Sequence, residues 1–175
     1  MNNKDFRKEI TLSDGTKVLI RPITVDDANL EWNFVHNLSQ DARTFRFFGA
    51  TKDLSPQMLH FFTNIDYVTH MALIAVINND GVEKEIAVAR YICGNSKSVC
   101  EFAIVVDDHW QHKGLGGELL KSLIEIAKAE KLSEMSGEIL PHNQKMIDFI
   151  KELGFKIFPH PEDKKLLLAK LNLAE

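Results

Sequence analysis

The feature that most constrains this chain lies past its middle, where the apolar run from Glu101 to Val106 leads through Asp107, Asp108, His109 and Trp110 into a glycine-rich stretch, Gln111 to Gly117. Up to Val106 the pattern has the two-residue period of a strand, which puts Glu101, Ala103 and Val105 on one face and Phe102, Ile104 and Val106 on the other. Beyond it Leu115, Leu119, Leu123 and Ala127, with Leu120 and Ile124 beside them, recur with the period of an amphipathic helix. A strand that turns through glycines straight into a helix presents unpaired amides and the positive end of a helix dipole. Gly114, Gly116 and Gly117 let phosphate oxygens approach that backbone without Cβ interference, and Lys113 adds a mobile positive charge. This is not a P-loop, which needs Gly-Lys-Ser/Thr. It is not a dinucleotide fingerprint either, because Leu119 stands where the third glycine belongs.

Around this centre the remaining elements can be placed. Asp14-Gly15 is a turn signal before a strand over Lys17 to Ile20, which Pro22 stops. Thr24 caps a helix whose apolar face carries Leu30, Phe34 and Leu38, and Ser55-Pro56 starts another with Met58, Leu59, Phe61 and Phe62. Met71 to Ile77, Ile86 to Cys93 and Val99 to Val106, separated by Asn79-Asp80-Gly81 and Gly94-Asn95-Ser96, read as an antiparallel meander. After the long helix come a strand over Met135 to Ile139 and a helix with Met146, Ile147, Ile150 and Leu153, closed by Gly154. Phe155 to Phe158 and Leu166 to Leu171 read as the last strands. The expectation is an α/β chain, a mixed sheet with helices on its faces, forming a single domain over residues 1–175.

Composition narrows the partners. With 21 basic against 25 acidic residues the net charge is −4, the wrong sign for wrapping nucleic acid, so none is expected. The Phe45-Arg46-Phe47-Phe48 stretch reads as core rather than as a base-stacking platform. The longest purely apolar run, Met71 to Ile77, falls far short of the ~20 residues of a membrane span, and the first residues have no apolar signal core. Cys93 and Cys100 read as reduced thiols of a cytoplasmic protein. His109 and His112 are the closest histidine pair but lack a third ligand, so no metal is expected.

The spacing Gln111-x-x-Gly114-x-Gly116 after a strand resembles motif A of the GNAT superfamily of N-acetyltransferases, which cradles the pyrophosphate of acetyl-CoA. Asn143 after the next strand, with Gly154-Phe155 ending the next helix, is similar to that family's motif B. Arg21-Pro22, Phe45 to Gly49, Ile65-Asp66-Tyr67, Met71-Ala72-Leu73 and Glu101-Phe102-Ala103 resemble the GNAT domain of bacterial Pat-type protein lysine acetyltransferases. The chain is too short to hold that group's regulatory domains as well. The resemblance implies a mostly antiparallel sheet of about six or seven strands, splayed at the acetyl-CoA site and flanked by helices. It implies pantetheine contacts at Ile104, Val105 and Val106. Pyrophosphate contacts would fall on Gln111, His112, Lys113, Gly114, Leu115, Gly116 and Gly117. Asn143 either touches the CoA arm or merely caps its helix.

Transfer to a lysine requires a neutral amine, and at pH 7 neutralising a group of pKa ~10.4 costs roughly 4–5 kcal/mol. A carboxylate whose pKa is raised by burial is the usual base. Glu101 is the candidate, in the position of the base of Pat-type enzymes; the plain alternative is a strand-end carboxylate in solvent. The resemblance also makes Arg43, Arg46, Asp66 and Tyr67 candidates for the acceptor side. Many GNAT enzymes carry a tyrosine as general acid four residues before the Gly-Phe glycine; here Ile150 stands there. The expected protein is an acetyl-CoA-dependent N-acetyltransferase, monomer or homodimer, acting on protein lysines. A small-molecule amine acceptor and a non-catalytic acetyl-CoA sensor are the alternatives.

Overall fold

The residues described by a computed structural model of the chain are 2–39 and 54–174. Its strands are β1 (Lys8–Thr11), β2 (Lys17–Pro22), β3 (His70–Asn79), β4 (Val82–Cys93), β5 (Val99–Val106), β6 (Glu134–Ile139), β7 (Lys156–Pro159) and β8 (Leu167–Asn172). They form one sheet in the order β1-β2-β3-β4-β5-β6-β8-β7, with helices on both faces. That is eight strands where about six or seven were expected. The addition is β1, an edge strand with a single apolar residue, Ile10, whose pattern of half-buried and exposed positions carries little periodic signal.

The meander is set by turn chemistry. Asp80 and Gly81 have φ of 52° and 87°, the pair of positive values that a tight two-residue hairpin turn requires. Asn78 Oδ1 braces the turn by accepting from the Gly81 amide at 2.7 Å. β3 and β4 then pair over ten register positions, with one bulge opposite Ala75 and Val76.

The described helices are α1 (Ala28–His36), α2 (Pro56–Thr63), α3 (Leu115–Ala129) and α4 (Gln144–Glu152). Ser55 Oγ accepts from the Met58 amide at 3.1 Å, so α2 begins where its Ser-Pro signal predicts, although Phe61 is half exposed. Thr24 instead opens a one-turn 3-10 segment, Val25–Asp27, that runs into α1. There Asp27 takes a two-bond fork from Arg21, 2.8 Å at each oxygen, and accepts from the Thr24 amide. The buried face of α1 is Glu31, Phe34, Val35 and Leu38, so a carboxylate occupies a core position that the apolar pattern does not reveal. Glu31 meets Arg90 of β4, whose guanidinium also reaches His70 Nε2 at 2.9 Å. Burial and that guanidinium push His70 down to about 4, so the ring is uncharged at neutral pH. α3 lays Leu115, Leu119, Leu120, Leu123 and Ala127 on the other face of the sheet. α4 ends in a Schellman turn, with Phe155 N–H donating to Ile150 O and Gly154 N–H to Lys151 O around a Gly154 φ of 98°.

The sheet is antiparallel throughout except for β5 and β6. β5 pairs with β4 over seven positions, Cys93 to Ala87 against Cys100 to Val106. With β6 it pairs only at Val99, Cys100 and Glu101, against Glu134, Met135 and Ser136. From Phe102 onward the two strands diverge. The ring of Phe102, 4% exposed and tilted at 53° against Phe155 with centroids 5.0 Å apart, covers Gly137 just where pairing stops. A Cβ on Gly137 would lie 2.5 Å from that ring. Gly137→Ala is therefore expected to lower stability by ~1–3 kcal/mol, the usual cost of overpacking, as read from urea or thermal unfolding.

Candidate active site

The divergence of β5 from β6 leaves a cleft bounded by β5, the turn after it, the first turn of α3 and the first half of α4. It encloses a cavity of about 590 Å³. Ile104, Val105 and Val106 form one wall, and Gln111, His112, Gly114, Leu115, Gly116 and Gly117 another. Asn143 closes the far side together with Lys145, Met146 and Phe149 of α4, and Asp108 and Trp110 lie at the mouth.

The turn is built to leave amides open. Gly114 is the N-cap of α3 with φ 86°, a left-handed geometry that favours glycine, and no side chain caps the helix. The first amide to find a helical acceptor is that of Glu118, on Gly114 O at 3.3 Å. Gly116 and Gly117 are different from Gly114. A Cβ on Gly116 would sit 3.7 Å from Ile104 and Val106, and one on Gly117 3.6 Å from Phe149, which are ordinary contacts. Packing within the fold therefore does not require glycine at either position. Gln111 braces the turn, its Nε2 donating to Val106 O at 3.0 Å and to Asp108 Oδ1 at 3.1 Å.

Lys113 is the one expected cofactor contact that does not line the cavity. Its ammonium bonds Asp14 Oδ2 at 2.7 Å, on the turn between β1 and β2, and lies 5.0 Å over the Trp110 ring. That ammonium holds Asp14 well below the usual carboxylate range. The cation that does line the cavity is Lys145, in the first turn of α4, with Nζ 3.3 Å from His112 Nε2. The sequence reading missed it, although its place two residues after Asn143 was a usable signal. Asn143 itself caps α4, its Oδ1 accepting from the Met146 amide at 3.3 Å, and also faces the cavity.

Glu101 lies outside the cavity lining, at the head of the diverging stretch and on the opposite face of β5 from Ile104 and Val106. It is half-buried. Burial, then the neighbouring Glu138 carboxylate, pushes its pKa up, and His160 pulls the other way. That separates it from a strand-end carboxylate in open water. Cys100 is 1% exposed and burial pushes its thiol up to about 12, so it offers no thiolate nucleophile. Ile150 is fully buried in the core, and the α4 residues at the cavity are Lys145, Met146 and Phe149. Tyr91 and Tyr67 are also buried; their hydroxyls donate to Val68 O and Ile23 O. No tyrosine lines the cavity among the described residues.

Asp66 and Tyr67 do not line it either. Asp66 organises a turn by accepting from the amides of Val68, Thr69 and His70 and from the Thr69 hydroxyl. Tyr67, φ 65°, joins that turn to the N-terminal segment through Asn3, which donates to its carbonyl at 2.8 Å. Arg43 and Arg46 lie outside the described residues. No cluster of three or more potential metal ligands occurs among the described residues, and none of their helices is long and apolar enough to cross a membrane.

An open parallel seam beside an uncapped glycine-rich helix start is the layout of a GNAT fold, and comparison with known proteins agrees. The model of the acetyltransferase (GNAT) domain matches residues 17–156, and the chain belongs to that family. It is 34% identical over 163 residues to Acetyltransferase PA5475 of Pseudomonas aeruginosa, covering 93% of this chain and 88% of that one. It is 23% identical over 146 residues to Acetyltransferase Pat of Mycolicibacterium smegmatis, covering 83% of this chain but only 43% of that longer protein. Among solved structures, the GNAT domain of S. lividans PAT superposes with a TM-score of 0.84 at 27% identity, covering 95% and 96% of the two chains. The protein is thus an acetyltransferase of the GNAT family, a family that uses acetyl-CoA as cosubstrate.

Because the fold tolerates a methyl at Gly116 and alanine favours helix over glycine by up to ~1 kcal/mol, Gly116→Ala is expected to melt no lower than wild type. It should nevertheless weaken acetyl-CoA binding by about tenfold or more, read by calorimetric titration.

Proposed function

We propose that this chain transfers the acetyl group of acetyl-CoA to the ε-amine of protein lysines by direct attack on the thioester, with Glu101 as general base. The observation that carries the reading is the seam itself. A cradle of free amides lies on one side of the sheet, a half-buried carboxylate with a raised pKa lies on the other, and the gap between β5 and β6 connects them. The pyrophosphate of the cofactor fits the α3 amides from Leu115 to Gly117, with Lys145 and His112 beside it. The pantetheine arm fits along Ile104 to Val106, whose edge toward β6 has no strand partner, so an amide there is free to polarise the thioester carbonyl. Such a contact is worth roughly 3–4 kcal/mol in the transition state. Asn143 offers the arm a further polar contact.

Glu101 stands three residues before Ile104, about 10 Å along the strand. A carboxylate reached across the seam takes the proton from the acceptor ammonium. The neutral nitrogen attacks the thioester carbon, the new C–N bond forms, and the C–S bond breaks. The nitrogen sheds its second proton to water as the amide forms, and the CoA thiolate, whose parent thiol is only moderately acidic, leaves and takes a proton from water, since no tyrosine lines the cavity among the described residues. Similarity to the GNAT domain of S. lividans PAT supports the protein-lysine acceptor, and the free cysteines Cys93 and Cys100 fit a cytoplasmic setting.

The test is acetyl-lysine mass spectrometry on a deacetylated lysate incubated with acetyl-CoA and either wild type or Glu101→Gln. Enzyme-dependent acetylation that the variant loses supports the reading. Acetyl-CoA binding without acetylation above background overturns it in favour of a small amine or a sensor. Glu101→Gln should cut kcat/KM by about 10²–10⁴-fold while the acetyl-CoA Kd stays unchanged. In wild type, kcat/KM should rise with pH through a pKa above the ordinary carboxylate range, because the base works only when deprotonated and burial raises its pKa. That limb should vanish in the variant.

A further inference from the structure

The face of the sheet that carries Glu101 holds a second carboxylate that the chemistry so far leaves idle. Glu101 is the register partner of Ser136, and paired residues of parallel strands share a face, so Glu138, two residues on, shares it too. The strands diverge beyond this pair, which leaves the space between the two carboxylates open toward the seam. Glu138 is half exposed, yet it is not loose. His160, on the turn between β7 and β8 and with its side chain only 13% exposed, holds Glu138 Oε1 at 3.1 Å through Nε2. The orientation of that ring is fixed from behind. Its Nδ1 accepts from the backbone N–H groups of Glu162 at 3.1 Å and Asp163 at 2.9 Å. A nitrogen that accepts two N–H bonds carries no proton, so the ring proton sits on Nε2, aimed at Glu138.

We infer that Glu138, held by His160, is a second carboxylate of the acceptor site that pairs with the incoming ammonium beside Glu101. The inference rests on the transferase reading and names the acceptor class it selects, a primary amine that arrives positively charged. Glu138 takes no proton. The ammonium proton goes to Glu101, and the carboxylate at 138 keeps the proton affinity of Glu101 high while the cation is between them. His160 is a positioning residue.

Arg90, His70 and Lys170 on this face are engaged with other groups. Arg90 and His70, on β4 and β3, bond each other, and Arg90 also meets Glu31 of α1. Lys170 of β8 lies 4.0 Å from Glu134 of β6, and Lys156 of β7 is its register neighbour. Glu138 is the carboxylate whose charge raises the pKa of Glu101.

The experiment compares wild type, Glu138→Gln, His160→Gln and, as a control for one lost charge, Glu9→Gln on the edge strand β1. The probe acceptor is a peptide with a single lysine. In Glu138→Gln the KM for the peptide should rise about tenfold or more with the KM for acetyl-CoA unchanged, and the acidic limb of kcat/KM should move to lower pH. His160→Gln should raise the peptide KM by less than Glu138→Gln does, and Glu9→Gln should leave both readouts unchanged. A peptide KM and an acidic limb unchanged in Glu138→Gln would overturn the inference. NMR titration of carboxyl-labelled glutamates, which needs no turnover, separates the two readings. If wild type acetylates no amine yet Glu101 titrates lower in Glu138→Gln, the carboxylate pair stands and the transferase reading falls. If the Glu101 titration is the same in both proteins, the pair falls whatever the enzyme does.

Discussion

Three residue pairs join the two halves of this sheet. On one side β1 to β5 form a continuous antiparallel array; on the other β6, β8 and β7 form a second. Their strand pairing is confined to Val99, Cys100 and Glu101 against Glu134, Met135 and Ser136, preceded by the Ser133 amide donating to Ser98 O at 2.7 Å. The candidate site is arranged around the end of that short contact. Phe102, packed on Gly137 and Phe155, fills the angle where the strands part and keeps them from closing. The α3 amides line one side of the opening, and Glu101 is the last paired residue before it. A sheet that continued its pairing for three more positions would be better hydrogen-bonded and would have no site.

Much of this was legible in the sequence because local chemistry dictates it. The change of period after Val106, the glycines at 114, 116 and 117, the Asp80-Gly81 turn, the Ser55-Pro56 start and the Gly154 stop each have a short-range cause. Each lies where its cause predicts. What could not be read depends on distant partners. β1 has almost no periodic signal and exists because β2 offers it an edge. Lys113 reads as a phosphate ligand from its neighbours in sequence, but Asp14, 99 residues away, takes its ammonium. Lys145 reaches the cavity only because α4 packs against the seam. The same holds for Asp66 and Tyr67, whose polar atoms are spent on turns and on Ile23, and for Glu138 and His160, which meet through the pairing of β6 with β8.

The polar groups inside the sheet divide by face. On the α3 side the core is apolar apart from Ser122. On the opposite side, beneath α1 and α2, lie Glu31, Glu85, Arg90 and His70, nearly or wholly buried. Burial and the adjacent Glu31 push the pKa of Glu85 up, well above its ordinary value. The amphipathic face of α1 reads as apolar in sequence because Glu31 is counted polar and therefore assigned to water. Its actual position shows that the half of the molecule beneath α1 and α2 is built on a charge network, whereas the half beneath α3 rests on aliphatic packing.

The brevity of the seam also bears on how the molecule holds together between turnovers. Two half-sheets joined by three pairs and one crossing helix form a hinge line, and an extended arm laid along Ile104 to Val106 would act as a ninth strand across part of it. Any ligand that binds the folded form alone adds RT ln(1 + [L]/Kd) to its stability, about 2.7 kcal/mol at a hundredfold excess over Kd. Here that increment would fall on the three-pair junction of β5 with β6. The donor is then a splint as well as a reagent, and because the spent carrier retains the same arm, the joint stays bridged through the chemistry and comes loose only when the carrier departs.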